Sequence, residues 1–237
     1  MSNLKIKSYV ALDLETTGIN PSLDKIIEIG MIKVIDEKVA DSYKTLINPN
    51  IHICTRITEI TGITDNMVLG KPAISEIIKD ILDFIGDLPL LGHNIIFDYS
   101  FLKKAAVNSN YTFEKQGIDT LKIARRLLPE VPHKNLEYLC DYFKLDKGSS
   151  HRAFDDAQSA IGLYHKLYEI KPDDEGFYTA IPLVFHIKKD VPITEAQKRY
   201  LAALLMKHQL DIEEDIEKLT KSMASRMIDK IISEYGK

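Results

Sequence analysis

Two carboxylates near the N-terminus have the spacing of a metal-binding pair. Asp13 and Glu15 follow the apolar residues 10–12. Because residues i and i+2 of a strand face the same side, both carboxylates are expected to project together from the end of a buried strand. Such a pair is costly unless a positive charge lies between them, and hard divalent cations prefer oxygen ligands. The spacing alone is not specific, because three other Asp-x-Glu pairs lie in acidic segments of the chain. An ordinary charge pair at a strand end is therefore the alternative.

Two further segments place acidic residues at the start of predicted helices. Asp98 follows Asn94 by four residues and begins an apolar helix, where the helix macrodipole would also favour a carboxylate with no other role. His151 and Asp156 are five residues apart, so on one continuous helix they would lie about 140° apart. They can converge only if His151 lies in the loop before the helix, as Gly148 favours. The alternative is a surface histidine at a helix start.

Four carboxylates and one histidine therefore occur in order, each at a predicted strand end or helix start. They are Asp13, Glu15, Asp98, His151 and Asp156. Such a set can build a site for two Mg²⁺ or Mn²⁺ ions, which clamp the attacking and leaving oxygens of a phosphoryl displacement. The histidine can take a proton from the attacking water near neutral pH.

The elements that must position these residues predict an α/β fold with a mixed five-stranded sheet. Three strands with short links suggest an antiparallel meander, and alternating helices and strands follow it, which places helices on both faces. The predicted strands are residues 8–14, 26–35, 38–47, 89–91 and 118–123. The predicted helices are residues 75–85, 99–107, 135–143 and 154–170.

The chain divides near residue 171, because Pro172 cannot continue the preceding helix. We expect a main domain at 1–171, a connector at 172–192 and a small helical module at 193–237, with helices over 194–209 and 220–235. Leu201, Leu204, Leu205 and His208 form a stripe that indicates packing first. A tether to DNA or to a partner is the alternative role of this module.

Composition favours a soluble intracellular protein. The chain has 237 residues, 45% of them hydrophobic, with a net charge of −4. A protein held on a polyanion by its overall charge would be more basic, so local patches or metal must attract a nucleic acid. The two cysteines, Cys54 and Cys140, have no metal-like spacing and indicate a reducing compartment. With no signal-peptide core and no apolar run long enough to span a bilayer, we expect a cytoplasmic location.

Three motifs carry a resemblance to a known family. They are Asp13-Leu14-Glu15-Thr16-Thr17-Gly18, His93-Asn94 with Asp98, and His151-Arg152-Ala153 with Asp156-Ala157. They resemble the exonuclease motifs of the DEDDh 3′–5′ exonuclease family, and above all the proofreading epsilon subunit of bacterial DNA polymerase III and its stand-alone relatives. The likeness covers about residues 7–170 and implies a ribonuclease-H-like fold.

The resemblance also implies roles for the matching residues. Asp13 would bridge both metal ions, Glu15 and Asp156 would hold the ion that activates water, Asp98 would serve the second ion, and His151 would be the general base.

Further matching residues would bind the substrate. Thr16 and Phe97 would contact the terminal nucleotide, and Asn94 would shape the pocket. Independently of the resemblance, residues 115–153 hold more basic than acidic side chains, and Arg152 and Lys147 would contact phosphates if they flank the site. An ordinary mixed-charge surface is the alternative.

The family resemblance implies a 3′–5′ exonuclease that releases nucleoside 5′-monophosphates from single-stranded nucleic acid. DNA is favoured over RNA because the residues flanking the motifs look more polymerase-like than oligoribonuclease-like. The chain carries no polymerase domain, so a polymerase or another replication or repair protein would be a partner in trans. The alternatives are an RNA exonuclease and a nucleic-acid-binding module that has lost catalysis on the same fold.

Overall fold

The fold is built on one mixed sheet, which has six strands in a computed structural model that describes residues 5–148, 151–212 and 215–236. The strands are β1 (Tyr9–Thr16), β2 (Ile26–Ile35), β3 (Lys38–Leu46), β4 (Leu90–Gly92), β5 (Lys115–Asp119) and β6 (Ile181–Leu183). They lie in the order β3-β2-β1-β4-β5-β6. The first three strands pair antiparallel, whereas β4 pairs in parallel with both β1 and β5. The predicted meander and mixed sheet are confirmed.

The sixth strand corrects the predicted five-stranded sheet. β6 comes from the segment 172–192 that we expected to be a connector, and it pairs antiparallel with β5, from Gly117 opposite Ile181 to Lys115 opposite Leu183. Phe177, in the same segment, is fully buried beside α-helical residues of the main core. The prediction missed this strand because it is three residues long and contains Pro182, which a sheet tolerates at its edge.

Helices cover both faces of the sheet and form the C-terminal end of the chain. They are α1 (Thr55–Thr61), α2 (Asp65–Val68), α3 (Ile74–Ile85), α4 (Ile96–Asn108), α5 (Thr120–Leu127), α6 (Leu136–Phe143), α7 (Ala153–Ile170), α8 (Glu195–His208) and α9 (Lys221–Tyr235). Short 3₁₀ turns span Glu175–Phe177 and Ile216–Lys218. In the part of the chain that the structure describes, no helix combines the length and the apolar character needed to cross a bilayer.

The boundary between β5 and α5 differs from the prediction. We expected a strand over residues 118–123, but β5 ends at Asp119 and α5 begins at Thr120. The Asp119 carboxylate accepts hydrogen bonds from the backbone N–H groups of Leu121 (3.0 Å) and Lys122 (3.4 Å). A side chain that satisfies the free N–H groups of a first turn starts a helix, and here it outweighs the strand propensity of the apolar residues.

Side chains of β1 point alternately into two hydrophobic cores. Val10, Leu12 and Leu14 pack in the core that α3 and α4 cover, whereas Tyr9 and Ala11 pack in the core that α5, α6 and α7 cover. Because this alternation continues to the end of the strand, residues 13 and 15 lie on the α7 face. The strand thus delivers its two acidic side chains to the N-terminal end of α7.

α7 approaches β2 most closely at Gly30. A Cβ atom at Gly30 would lie well inside van der Waals contact of the backbone of Ala153 and Phe154, the first residues of α7. Backbone atoms cannot rotate away as a flexible side chain can. A glycine on β2 is therefore what permits α7 to begin against the sheet.

The C-terminal module has a hydrophobic cluster of its own. α8 and α9 pack against each other around Leu201, Leu204, Leu205 and Ile228, so the predicted packing stripe is confirmed for its three leucines. His208 is half-buried, with its ring centroid 5.7 Å from that of Tyr235.

An ion pair attaches the segment before this module to α4. The Asp190 carboxylate accepts hydrogen bonds from Lys104 Nζ (2.6 Å) and Asn108 Nδ2 (2.9 Å). Because both donors belong to α4, the connector is fixed to the helix that carries Asp98. We propose that the main domain includes β6 and that residues 193–237 fold as a separate small unit.

We expect Gly30→Ala to lower the free energy of unfolding by about 3 kcal/mol, because the added methyl group meets backbone that cannot give way. Gly162→Ala is the matched control. Gly162 lies on α7, and its nearest neighbour to an added Cβ is Leu145 Cδ1 at 3.8 Å. That variant should gain about 0.5–1 kcal/mol from helix propensity. Urea unfolding of both variants measures the difference, and equal stabilities would contradict the close packing of α7 on Gly30.

Candidate active site

The carboxylates of Asp13 and Glu15 lie at the end of β1, on the face that α7 covers. In the antiparallel pair with β2, Asp13 stands opposite Gly30 and Glu15 stands opposite Glu28. Both acidic side chains of β1 are half-buried. The structure thus places the two residues together at the strand end, as their spacing predicts.

Asp98 reaches β1 from α4. It lies in the first turn of that helix and is 4% exposed. Its Oδ1 accepts a hydrogen bond of 3.0 Å from the backbone N–H of Leu14, the residue between the two carboxylates of β1. The bond fixes Asp98 beside Asp13 and Glu15. Asp98 therefore contacts β1 in addition to having the favourable interaction of a carboxylate with the dipole of α4.

His151 and Asp156 converge at the start of α7. The helix begins at Ala153, so His151 precedes it, as convergence requires. The backbone N–H of His151 donates to Asp156 Oδ2 at 3.1 Å, and His151 has a left-handed backbone with φ of 61°. The turn leaves the imidazole exposed beside the carboxylate.

Three of these side chains meet closely enough to share one cation. Glu15, His151 and Asp156 each offer a ligand atom within 4.8 Å of the other two, and among the described residues this is the group of His, Cys, Asp and Glu side chains that does so. Two carboxylates and an imidazole form a donor set that suits a divalent cation. Asp13, on β1, and Asp98, which reaches β1 from α4, lie next to this group. Neither belongs to the set of ligand atoms that all lie within 4.8 Å of one another. We predicted His151 as a base and not as a ligand, and the geometry permits both roles.

The environment of Glu15 disfavours its negative charge. Burial raises the pKa of Glu15 to about 8, and the charges of Asp156 and Glu28 add to the rise, whereas Arg152 opposes it. Without a cation, a carboxyl group with this pKa holds its proton near neutral pH.

The pKa values of the other three carboxyl groups are raised as well. Burial raises the pKa of Asp13 well above its usual value, and the nearby charges of Asp98 and Asp156 raise it further. Burial also raises the pKa of Asp98 against the opposing hydrogen bond from Leu14, and that of Asp156 against the one from His151. Four acids whose pKa values all rise form a cluster that a bound cation would stabilise.

Arg152, which we predicted to bind substrate, is held by Glu28 in the structure. Its Nη2 donates to Glu28 Oε1 at 2.7 Å, and its Nε lies 3.1 Å from both carboxylate oxygens. Lys147, the other cation expected at phosphates, pairs with Asp141 at 2.7 Å. The contact of Arg152 with substrate stays a prediction.

Glu28 and Gly30 were not among the site residues predicted from the sequence. A charged side chain in the middle of the apolar run 26–32 was the signal that could have revealed Glu28, since a strand buried on both faces seldom carries an unpaired charge.

Thr16 and Phe97, predicted to contact the nucleotide, and Asn94, predicted to shape the pocket, lie on the elements that carry Glu15 and Asp98 or in the loop between β4 and α4. Thr16 is nearly buried, and its Oγ1 donates to the Gly18 carbonyl at 2.6 Å. Asn94 is exposed, with φ of 75°, in the loop between β4 and α4. Phe97 is half-buried against Phe101, with ring centroids 5.1 Å apart. Thr16 thus follows Glu15 directly on β1, and Phe97 precedes Asp98 directly in the first turn of α4.

His93, the other motif histidine, has a structural position. Its Nδ1 lies 2.9 Å from Thr120 Oγ1, and its Nε2 lies 2.6 Å from the Lys134 carbonyl oxygen. Burial lowers the pKa of His93, against the opposing effects of its hydrogen bond to Lys134 and the charge of Asp119. The ring therefore joins the loop after β4 to α5 and to the segment before α6.

A mixed sheet with helices on both faces and acidic residues at the end of its central strand defines the ribonuclease-H-like class of nucleases. The model of the exonuclease family RNase_T matches residues 10–164, so the chain belongs to this family.

The relatives agree with this assignment. The PolC-type DNA polymerase III of Clostridium perfringens (strain 13 / Type A) is 38% identical over 151 residues, which are 64% of this chain and 10% of that relative. The chain thus spans about a tenth of that relative's length. Exonuclease X, solved in complex with 5′ overhanging duplex DNA, is 26% identical with a TM-score of 0.59, over 72% of this chain and 96% of that one. E. coli Exonuclease I, solved zinc-bound with single-stranded DNA, is 20% identical with a TM-score of 0.63, over 70% of this chain and 41% of that one, and shows the fold.

We expect the stability of the metal-free protein to fall as the pH rises from about 5.5 to about 8.5. The pKa of Glu15 is about 8 in the folded chain and near its usual value in the unfolded chain. The folded state therefore binds more protons between those values and loses this advantage as pH rises. Millimolar Mg²⁺ should restore stability, most strongly at high pH, where protons no longer compete.

Urea unfolding in EDTA and in Mg²⁺ at several pH values measures both effects. Glu15→Gln should reduce the pH dependence, because only the contributions of the other raised carboxyl groups remain, whereas Glu59→Gln, at an exposed position of α1, should keep it in full. Metal-free stability that rises across this range would contradict the electrostatics of the site.

Proposed function

We propose that the protein is a metal-dependent 3′–5′ exonuclease that hydrolyses the terminal phosphodiester bond of single-stranded nucleic acid, with DNA favoured over RNA. The observation that carries the proposal is the convergence of Asp13, Glu15, Asp98, His151 and Asp156 at the end of β1. The product is a nucleoside 5′-monophosphate.

The acidic residues are the proposed ligands of two Mg²⁺ or Mn²⁺ ions. Glu15 and Asp156 approach each other closely, and Asp13 and Asp98 adjoin them along β1. Bound there, the ions would activate water and neutralise the charge that develops on the phosphate. The raised pKa values of all four carboxyl groups support this role, because a divalent cation is the partner that such a cluster lacks.

His151 is the proposed general base. Its exposed ring lies beside Glu15 and Asp156, where a water molecule next to the phosphate can lose a proton to it. The hydrogen bond from its backbone to Asp156 fixes the turn that carries the ring. The ring can therefore reach the attacking water without taking part in the packing of α7.

The proposed substrate contacts lie around the acidic cluster. Phe97 offers an apolar surface to the terminal nucleotide, Thr16 adjoins Glu15 on β1, and exposed Asn94 borders the entry. The proposal that DNA is the substrate is supported by the DNA-bound state of Exonuclease X, a solved neighbour that is 26% identical to this chain. The PolC-type relatives support a partner among polymerases or other replication and repair proteins.

A gel assay tests this function directly. With Mg²⁺ or Mn²⁺, a 5′-labelled single-stranded DNA should shorten from its 3′ end, and the matched RNA should shorten more slowly. EDTA should stop the reaction, and Asp13→Ala should reduce it to about a thousandth or less, because the reaction needs the complete acidic cluster.

Asp80→Ala is the matched control, because Asp80 is exposed on α3. The activity of this variant should equal that of the unmodified chain. A folded chain that gives no ladder with either metal would favour the binding module without catalysis. Faster cleavage of RNA would reassign the substrate.

A further inference from the structure

Glu28 and Glu15 form an unusual cross-strand pair of acidic side chains, which carry like charges whenever Glu15 is ionised. They stand directly opposite each other on β2 and β1, and cross-strand partners point to the same face of a sheet. Glu28 is 6% exposed, so solvent does little to screen its charge. Like charges in this arrangement destabilise a strand pair, and something in the fold must offset Glu28.

Within the described residues, the hydrogen bonds to the Glu28 carboxylate come from the start of α7. Arg152 donates from Nη2 and Nε to its carboxylate, and the backbone N–H of Ala153 donates to Oε2 at 3.1 Å. Arg152 is the residue that precedes the first turn of α7, and its own side chain does not cap the helix. Glu28 thus supplies, from a different element, the carboxylate that a helix N-terminus favours.

This contact fixes the segment that carries two site residues. Arg152 follows His151 directly, and Asp156 lies one turn further along α7. Gly30, two residues from Glu28 on the same face of β2, lets the backbone of α7 come into contact there. The carboxylate and the glycine together set both the distance and the orientation of the helix start against β1.

We propose that Glu28 and Arg152 are positioning residues: their ion pair holds the N-terminus of α7 so that His151 and Asp156 meet Glu15, and Arg152 does not act chiefly as a phosphate ligand. The expected effect on catalysis rests on the proposed function. The expected effect on the metal site does not, because Mn²⁺ affinity can be measured without catalysis.

The test compares Glu28→Gln, Arg152→Gln and the double variant. Glu28→Gln keeps the side-chain volume and removes the charge. In the double variant both charges are removed, so no buried charge is left without its partner. Calorimetry measures Mn²⁺ affinity, and steady-state kinetics on single-stranded DNA measure kcat and KM. Lys79→Gln, which breaks an exposed ion pair with Asp83 on α3, is the control and should change nothing.

We expect each single variant to weaken Mn²⁺ binding and lower kcat by about 10- to 100-fold, as groups that orient metal ligands do, while KM for DNA changes less than about twofold. The double variant should lose no more than either single variant, because both changes break one interaction. Arg152→Lys should recover only part of the loss, since a lysine cannot reproduce the two-pronged contact.

Two results would overturn the proposal. The first is an Arg152→Gln variant that raises KM and reduces the salt dependence of binding while its Mn²⁺ affinity stays normal, which is the behaviour of a phosphate ligand. The second is a Glu28→Gln variant with normal Mn²⁺ affinity. If a single variant does not fold, the double variant decides between the same outcomes. If the unmodified chain shows no exonuclease activity, the proposed function fails, and the Mn²⁺ affinities still test the positioning role.

Discussion

The structure depends on one electrostatic constraint, which is the gathering of acidic side chains at the end of a buried strand. β1 brings Asp13 and Glu15 to one face, and helices from both sides of the sheet add Asp98 and Asp156. Each carboxyl group has a raised pKa, mainly from burial. A fold would not accumulate such groups for stability, so their arrangement indicates a cation and the chemistry that a cation supports.

The rest of the fold compensates for this repulsion at defined points. The backbone of Leu14 donates to Asp98, the backbone of His151 donates to Asp156, and Arg152 neutralises Glu28. Each contact joins two different parts of the chain or fixes a turn before α7. The site is therefore held by hydrogen bonds that also fix the starts of the helices. The same contacts thus determine both the geometry of the site and the packing of the domain.

Local sequence patterns predicted most of the elements but not the short helices α1 and α2, the start of α5 or β6, and they revealed none of the contacts between distant segments. The alternation of β1 and the loop position of His151 followed from strand and helix periodicity. The contact of Arg152 with Glu28 joins residues 124 positions apart, and no local pattern reveals such a partner. β6 was missed for a related reason, because a three-residue strand exists only through its pairing with β5. The hydrogen bonds from Asp119 to the next residues are local, so a helix start there could have been predicted from the sequence. The apolar residues after Asp119 favoured a strand instead.

Calorimetric titration of the metal-free chain with Mn²⁺, repeated in buffers of different ionisation enthalpy near pH 7, is the sharpest test of cation binding at the acidic cluster. We expect Mn²⁺ to bind and to displace protons, because Glu15 holds a proton in the absence of a cation. We also expect Asp13→Ala to lose this binding. An absence of binding in the folded chain, or binding that releases no protons and survives the Asp13 substitution, would contradict a cation site built from these carboxyl groups.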